Sequence, residues 1–244
     1  MKKSLLISIL LMFAVSCVTR PQVIDKKYMV NMTDNEEAMI NDLESKVVDK
    51  NNELEATKKE YDAVLKEGAG EDKKLSDLED ELFKMKDELR LYKAQKDTAK
   101  IDETTQKMEQ KKLEIDDQKK VTEFYSTKKA MYLSNVEVKQ AELSVILAQT
   151  NYEKSKIARR NRDKEIDQQN AEKAQNPEPE KKGFFDKFKK SGPKSIDVSS
   201  YEKYYIDQQE NLRKTILANK KAIDEYNKAK DTFEQRNADK AANN

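Results

Sequence analysis

The sequence predicts an all-α fold: an elongated antiparallel coiled coil, or long helical bundle. Three observations carry this expectation. Apolar residues recur at alternating steps of three and four over most of the chain, the seam spacing of paired helices. Charged residues make up 39% of the 244 positions and hydrophobic ones 36%, enough apolar surface for a narrow seam but not for a globular core. Only four glycines and four prolines punctuate the chain, so a helix meets few residues that would stop it.

The first seventeen residues stand apart from that pattern. Lys2 and Lys3 precede an apolar run from Leu5 to Val15, and Ala14-Val15-Ser16-Cys17 closes it. The run is about 11 residues, short of the ~20 that cross a bilayer as a helix. A basic start, a short apolar stretch and small residues before a cut read as an export signal. Cys17 is the only cysteine, so no disulfide framework is available. A plain secretory cut near Ser16, leaving a free thiol, stays open as an alternative.

Ala14-Val15-Ser16-Cys17 resembles a bacterial lipobox. The commonest lipobox has Leu three positions before the cysteine. Ala14 at that place is similar to the relaxed lipobox of spirochaetal, especially leptospiral, lipoproteins, whose members include helical proteins on periplasmic faces of membranes. The resemblance covers residues 1–17 and, in general texture, the Lys-rich body. It implies cleavage after Ser16, a diacylglycerol on the Cys17 thiol and an acyl group on its freed amine. It thereby implies attachment to the lipid bilayer through Cys17, in the cell envelope and facing the periplasm. Inner and outer membrane stay undecided, and exposure on the cell surface is the alternative. Two acyl chains hold a protein stably where one holds it marginally, at ~0.8 kcal/mol per buried CH₂.

The elements follow in order. Val18 to Met32 has no sustained period and reads as a flexible tether; fully extended, its ~15 residues reach roughly 50 Å. Thr33-Asp34-Asn35-Glu36 is a capping box and predicts a helix start. The first seam is Ile40, Leu43, Val47, Lys50, Leu54, Thr57, Tyr61 and Val64. Lys50 and Thr57 are polar breaks in it, read as a frayed edge in preference to pins of register. Gly68-Ala69-Gly70 has C-cap chemistry and predicts the end of this helix and a tight connection. Leu75, Leu78, Leu82, Met85, Leu89 and Tyr92 then form a second arm expected to zip against the first. The pattern dissolves after Tyr92 and resumes, two residues out of phase, with Ile101, Thr105, Met108 and Ile115. A stutter within one helix and a break capped at Asp97-Thr98 both remain open.

Met131 to Ile157 is the most apolar part of the body and carries two overlapping seams. One is Leu133, Val136, Leu143 and Leu147; the other is Val138, Ala141, Val145, Ala148 and Tyr152. A helix apolar on two adjacent faces has more than one partner, so at least three helices should meet here. The texture of Val136 to Leu143, continuing to Asn151 to Lys154, is similar to periplasmic hairpins of efflux and secretion proteins. Arg159-Arg160-Asn161-Arg162 reads as a solvated face with Asp163 and Glu165 as near partners.

Between Ala174 and Ser200 lie three of the four prolines and two of the four glycines. Phe184, Phe185 and Phe188 fall within five residues, flanked by Lys181, Lys182, Lys187, Lys189 and Lys190. Basic residues around aromatics are the chemistry of an interfacial helix. Three readings stay open: a plug for the open end of the bundle, a membrane contact and a contact with a protein partner. Ser199-Ser200-Tyr201-Glu202 reads as a second capping box. The last helix carries Tyr201, Tyr205, Gln208, Leu212, Thr215, Asn219, Ala222, Tyr226, Ala229 and Phe233, with Ile216 and Ile223 widening the face. It should return antiparallel to the Met131–Ala171 segment.

The chain divides accordingly into residues 1–16 (signal), 17–33 (lipidated cysteine and tether), 34–173 (helical hairpin), 174–199 (Pro/Phe/Lys-rich loop), 200–238 (last helix) and 239–244 (frayed tail). The absence of histidine removes Ser-His-Asp and Cys-His schemes and the usual zinc sites, so no enzyme, metal or cofactor is expected beyond the acyl groups on Cys17. Removing Lys2 and Lys3 from the 48 basic residues leaves 46 against 47 acidic, a balance that argues against nucleic acid as a partner. The expected role is structural: a scaffold or organiser of an envelope complex, binding protein partners or itself through coiled-coil faces. The alternative is a surface-displayed module that captures host or extracellular ligands.

Overall fold

The computed structural model describes residues 20–22, 24–175 and 195–242. The described residues are all helical apart from short connections. A 3₁₀ turn spans Lys26–Met29, and three long helices follow: α1 (Asp34–Gln95), α2 (Thr98–Gln175) and α3 (Val198–Ala242). They form a three-helix bundle that divides into two compact units. Unit 1 takes in Met1–Asp49 and Leu143–Asn211; unit 2 takes in Lys50–Glu142 and Leu212–Asn244.

The start of α1 is the expected capping box. The Thr33 amide donates to Glu36 Oε2 at 2.8 Å, and the Glu36 amide donates to Thr33 Oγ1 at 3.3 Å. Two donors that the helix leaves unpaired are thus satisfied reciprocally. The first seam also faces inward, with Ile40, Leu43, Leu54 and Val64 buried.

The expected end of that helix at Gly68-Ala69-Gly70 is not there. α1 runs through it to Gln95, and neither Gly68 nor Gly70 takes a positive φ. Gly68 is buried, and a β-carbon there would overlap Cε of Lys129 on α2. The glycine serves close approach, not a turn. The two expected arms are therefore one helix. Gly68 and Glu71 fill the steps between Val64 and Leu75, so the three–four alternation continues unbroken from Ile40 to Tyr92.

The connection lies at Lys96 and Asp97, which resolves the choice between a stutter and a break. Lys96 has a φ of 58°. Its amide donates to the Lys93 carbonyl at 3.2 Å, and the Asp97 amide donates to the Tyr92 carbonyl at 3.1 Å. This is a Schellman closure with lysine in the left-handed place that glycine usually takes. Asp97 then starts α2, its Oδ1 accepting from the Lys100 amide at 3.2 Å. One residue ends one helix and caps the next. The seam of α2 takes Thr104, which is buried, in place of the expected Thr105, whose hydroxyl turns back to the Ile101 carbonyl at 2.7 Å.

In unit 1 the core is Ile40, Leu43, Ala148, Ile157, Ala158 and Tyr201, with Thr150 and Ser155 also buried. Lys154 pairs with Glu44 at 2.7 Å and Arg160 with Glu36 at 2.5 Å, so partner numbers fall along α2 as they rise along α1. Tyr152 stacks on Tyr205 with centroids 6.0 Å apart, which joins α3 to the same core.

In unit 2 the core is Leu54, Val64, Ile115, Val121 and Ala141, with Thr104 and Ser134 buried beside them. Cross-helix pairs again descend: Glu53 with Lys139 at 2.9 Å, Glu67 with Lys128 at 2.6 Å and Glu81 with Lys111 at 2.9 Å. Phe124 of α2 stacks on Phe233 of α3 at 4.4 Å and lies 5.8 Å from Tyr226, and Arg236 pairs with Asp117. The expectation that Met131–Ile157 meets two partners is met in unit 1, where Lys154 pairs with Glu44 of α1 and Tyr152 stacks on Tyr205 of α3; the α3 contacts of unit 2 lie at Asp117 and Phe124, before that stretch. Leu133, Ile216 and Ile223, expected on inner faces, are exposed.

The expected cap of α3 shifts by two residues. Asp197 Oδ1 accepts from the Ser199 amide at 3.1 Å, and the helix starts at Val198. An aspartate directly before Val-Ser-Ser supplies a cap earlier than the Ser199–Glu202 pair would.

Candidate functional site

Two side-chain constellations stand out. The first lies in unit 2, where Lys50 interrupts the seam. Its ammonium donates to Glu53 at 2.9 Å and to Glu142 at 3.1 Å, and Lys139 donates to the same two carboxylates at 2.9 and 3.2 Å. Four charges of alternating sign thus close a ring between α1 and α2. The hydrogen bond from Lys50, and then that from Lys139, hold the Glu53 carboxyl down to about 2. A shift of one residue along α2 would put Val138 and Ala141, or Gln140 and Leu143, in the places of Lys139 and Glu142 and leave Lys50 and Glu53 without their cross-helix partners, so the ring fixes the register of α1 on α2. Lys50 is therefore a pin, contrary to its reading as a frayed edge. Thr57, the other polar break, returns its hydroxyl to the Glu53 carbonyl at 2.9 Å.

The second constellation is in unit 1 and is built around the segment expected to be a free tether. Residues 20–22 and 24–32 instead lie along the helices. Asp25 caps the 3₁₀ turn, accepting from the Lys27 amide at 3.1 Å. Asn31 takes a φ of 67°, a left-handed conformation that asparagine tolerates. Asn161 Nδ2 then donates to the carbonyls of Tyr28 and Val30, both at 2.7 Å. Arg160 donates to the Asn31 carbonyl at 3.1 Å and to Glu36 at 2.5 Å. Glu36 thereby serves both the helix cap and the clamp. Its carboxyl is held low, first by the hydrogen bond from the Thr33 backbone and then by Arg160. From α3, the Tyr201 hydroxyl donates to the Gln22 carbonyl at 2.7 Å. Burial raises the Tyr201 hydroxyl, which stays protonated as a donor.

The Arg159–Arg162 run is thus only partly the solvated face its sequence suggests. Arg159 reaches Asp163 at 3.6 Å and Arg162 reaches Glu165 at 2.8 Å, as local spacing predicts. Arg160 and Asn161 turn instead to backbone more than a hundred positions away. Arg162 also lies over the Tyr28 ring, 5.7 Å from its centroid. Ser195 donates to Asp163 at 2.7 Å, which fixes the approach to α3 on the same unit. Between the N-terminal segment and the start of α3 is a cleft of about 380 Å³, lined by Ile24, Tyr28, Ile196, Asp197, Ser200 and Tyr201 among others.

Chemically, this arrangement grips backbone. Four carbonyls accept from three side chains. The described residues include no cluster of acidic, cysteine or histidine side chains that would hold a metal. No described helix is long and apolar enough to cross a membrane. Ala14, Val15, Ser16 and Cys17 lie outside the described residues, as do Phe184, Phe185, Lys187, Phe188, Lys189 and Lys190. No family model, curated protein or solved structure matches the chain.

Proposed function

We propose that this chain is a membrane-anchored lipoprotein with a scaffolding or complex-organising role in a bacterial envelope, acting through antiparallel coiled-coil contacts. The observation that carries the reading is the division of labour along its helices. Seam positions are spent on holding three helices together, and a charge ring fixes the register of α1 on α2. Outward positions carry interleaved charges and a few exposed apolar residues, such as Phe83, Leu113 and Leu217. A surface of this kind offers helix faces to a second helix. The signal-like start ending at Cys17 supplies the anchor. Phe184, Phe185 and Phe188, with Lys187, Lys189 and Lys190, add a candidate second contact with the bilayer or a protein partner.

The anchor is tested by growing cells with a clickable fatty acid and recovering the protein. Label should appear on the wild type and vanish in Cys17→Ala. Label that persists in Cys17→Ala, or never appears, defeats the proposal. Protease added to intact cells tests placement. Protection until the outer membrane is opened supports a periplasmic role, and shaving of the intact cell supports surface display.

A further inference from the structure

We propose that the N-terminal segment described over residues 20–22 and 24–32 is a strap that opens and recloses on unit 1 independently of the bundle, clasped through its backbone by Asn161, Arg160 and Tyr201. The hold is confined to a few groups. No residue of the 3₁₀ turn Lys26–Met29 is buried, and Ile24, Tyr28, Met29 and Met32 are only half-buried, so apolar packing is a partial hold on the segment. The directional hold is four side-chain bonds to the carbonyls of Gln22, Tyr28, Val30 and Asn31, from 2.7 to 3.1 Å long, with Arg162 over the Tyr28 ring beside them. The amide bonds of the turn are local, from Tyr28 to the Asp25 carbonyl at 3.0 Å and from Lys27 to the Asp25 side chain. A single turn with two such bonds does not persist alone in water, so the Lys27 and Tyr28 amides exchange once the strap leaves. The helices keep their seams without the strap, because α1 starts at Asp34 on its own capping box. Segments held by few contacts open at a lower cost than the global unfolding of the domain.

The clasp reads peptide carbonyls and not side chains. It therefore fixes where the N-terminal segment leaves the body. Taken with the proposed anchor, on which only this consequence rests, the strap has two reaches. Docked, Cys17 is five residues from the Gln22 clasp, a span of roughly 17 Å at most. Released, it is seventeen residues from the start of α1, a span of roughly 58 Å. A body held close to its membrane and a body standing away from it then differ by four side-chain bonds.

The test is hydrogen exchange by mass spectrometry on the unlipidated full chain, comparing peptides over 20–32 with peptides over 145–160. In the wild type, the hydrogen-bonded strap amides of Lys27 and Tyr28 should be protected but exchange far faster than the bundle, with little dependence on denaturant. Asn161→Ala removes two of the four bonds and should speed strap exchange about tenfold or more, leaving the 145–160 peptides unchanged. Tyr201→Phe keeps the ring and removes one bond, and should give a smaller acceleration confined to the strap. Strap amides that exchange only with global unfolding, or that are indifferent to both substitutions, overturn the proposal. Exchange does not depend on acylation, so failed fatty-acid labelling would remove the two reaches and leave the clasp standing.

Discussion

Gly68 and Gly70 give the sharpest test of helix continuity, because a cap and a mid-helix site respond to alanine with opposite signs. At a left-handed C-cap, alanine costs about 1 kcal/mol. In a helix interior, replacing glycine by alanine gains about 0.8–1.0 kcal/mol. A β-carbon at Gly70 meets nothing within 4 Å. Gly70→Ala should therefore stabilise by close to the full increment, raising Tm by about 2–4 °C for a chain of this size. At Gly68 the same gain is opposed. The new methyl displaces the Lys129 side chain, whose ammonium is 3.1 Å from Asp72. That ion pair is exposed on the aspartate side and contributes about 0–1 kcal/mol. Gly68→Ala should thus be nearly neutral. Adding Lys129→Ala should restore the gain, a coupling that a double-mutant cycle reads directly. Gly68→Leu adds volume that a flexible lysine tip cannot absorb and should cost about 1–3 kcal/mol. Thermal melts followed by far-ultraviolet circular dichroism suffice. If Gly70→Ala lowers Tm, α1 ends at the glycines and the account of the seam is wrong.

Three further outcomes follow from particular contacts. The Glu53 carboxyl is held at about 2, below its ordinary 4.5, by Lys50 and Lys139. Its contribution to stability is full above pH 4.5 and is lost as pH falls toward 2, so Glu53→Gln should flatten that part of a denaturation-against-pH curve; an unchanged slope contradicts the ring. Lys96→Gly should stabilise by about 1 kcal/mol in urea denaturation by relieving a left-handed lysine, and a loss of stability would speak against the Schellman connection. Phe124→Ala removes the ring stacked on Phe233 and near Tyr226; it should destabilise by about 2–4 kcal/mol and expose α3 to proteolysis before α1.

Much of the fold was legible because seam spacing is a local property. Ile40, Leu43, Leu54 and Val64 could be placed inward from their steps alone, and so could the line from Leu212 to Phe233. The misreading at Gly68 came from weighing one residue's turn chemistry above the phase of its neighbours. The alternation passes through Gly68 and Glu71 without slipping, and a continuous seam outweighs the ~1 kcal/mol each glycine costs in a helix. Lys96 gave no such signal, since lysine rarely takes the left-handed place. The only clue was the dissolved pattern after Tyr92, with Asp97 available as a cap. The clasp was illegible for a different reason. Asn161 and Arg160 look like solvated residues of a charged helix, and the carbonyls they grip belong to every residue type. Only the placement of residues 20–22 and 24–32 beside α2 brings them together.

The scaffold reading is tested most directly by photo-crosslinking in intact cells from outward positions. Leu113, which is 71% exposed, and Leu217 on α3 are suitable sites. The account predicts discrete crosslinked products, either to a second copy of this chain or to other proteins of the envelope, reduced when the probe is moved to the buried Ala148. A protein that stays uncrosslinked from both outward positions, and that purifies as a monomer with nothing attached, contradicts it.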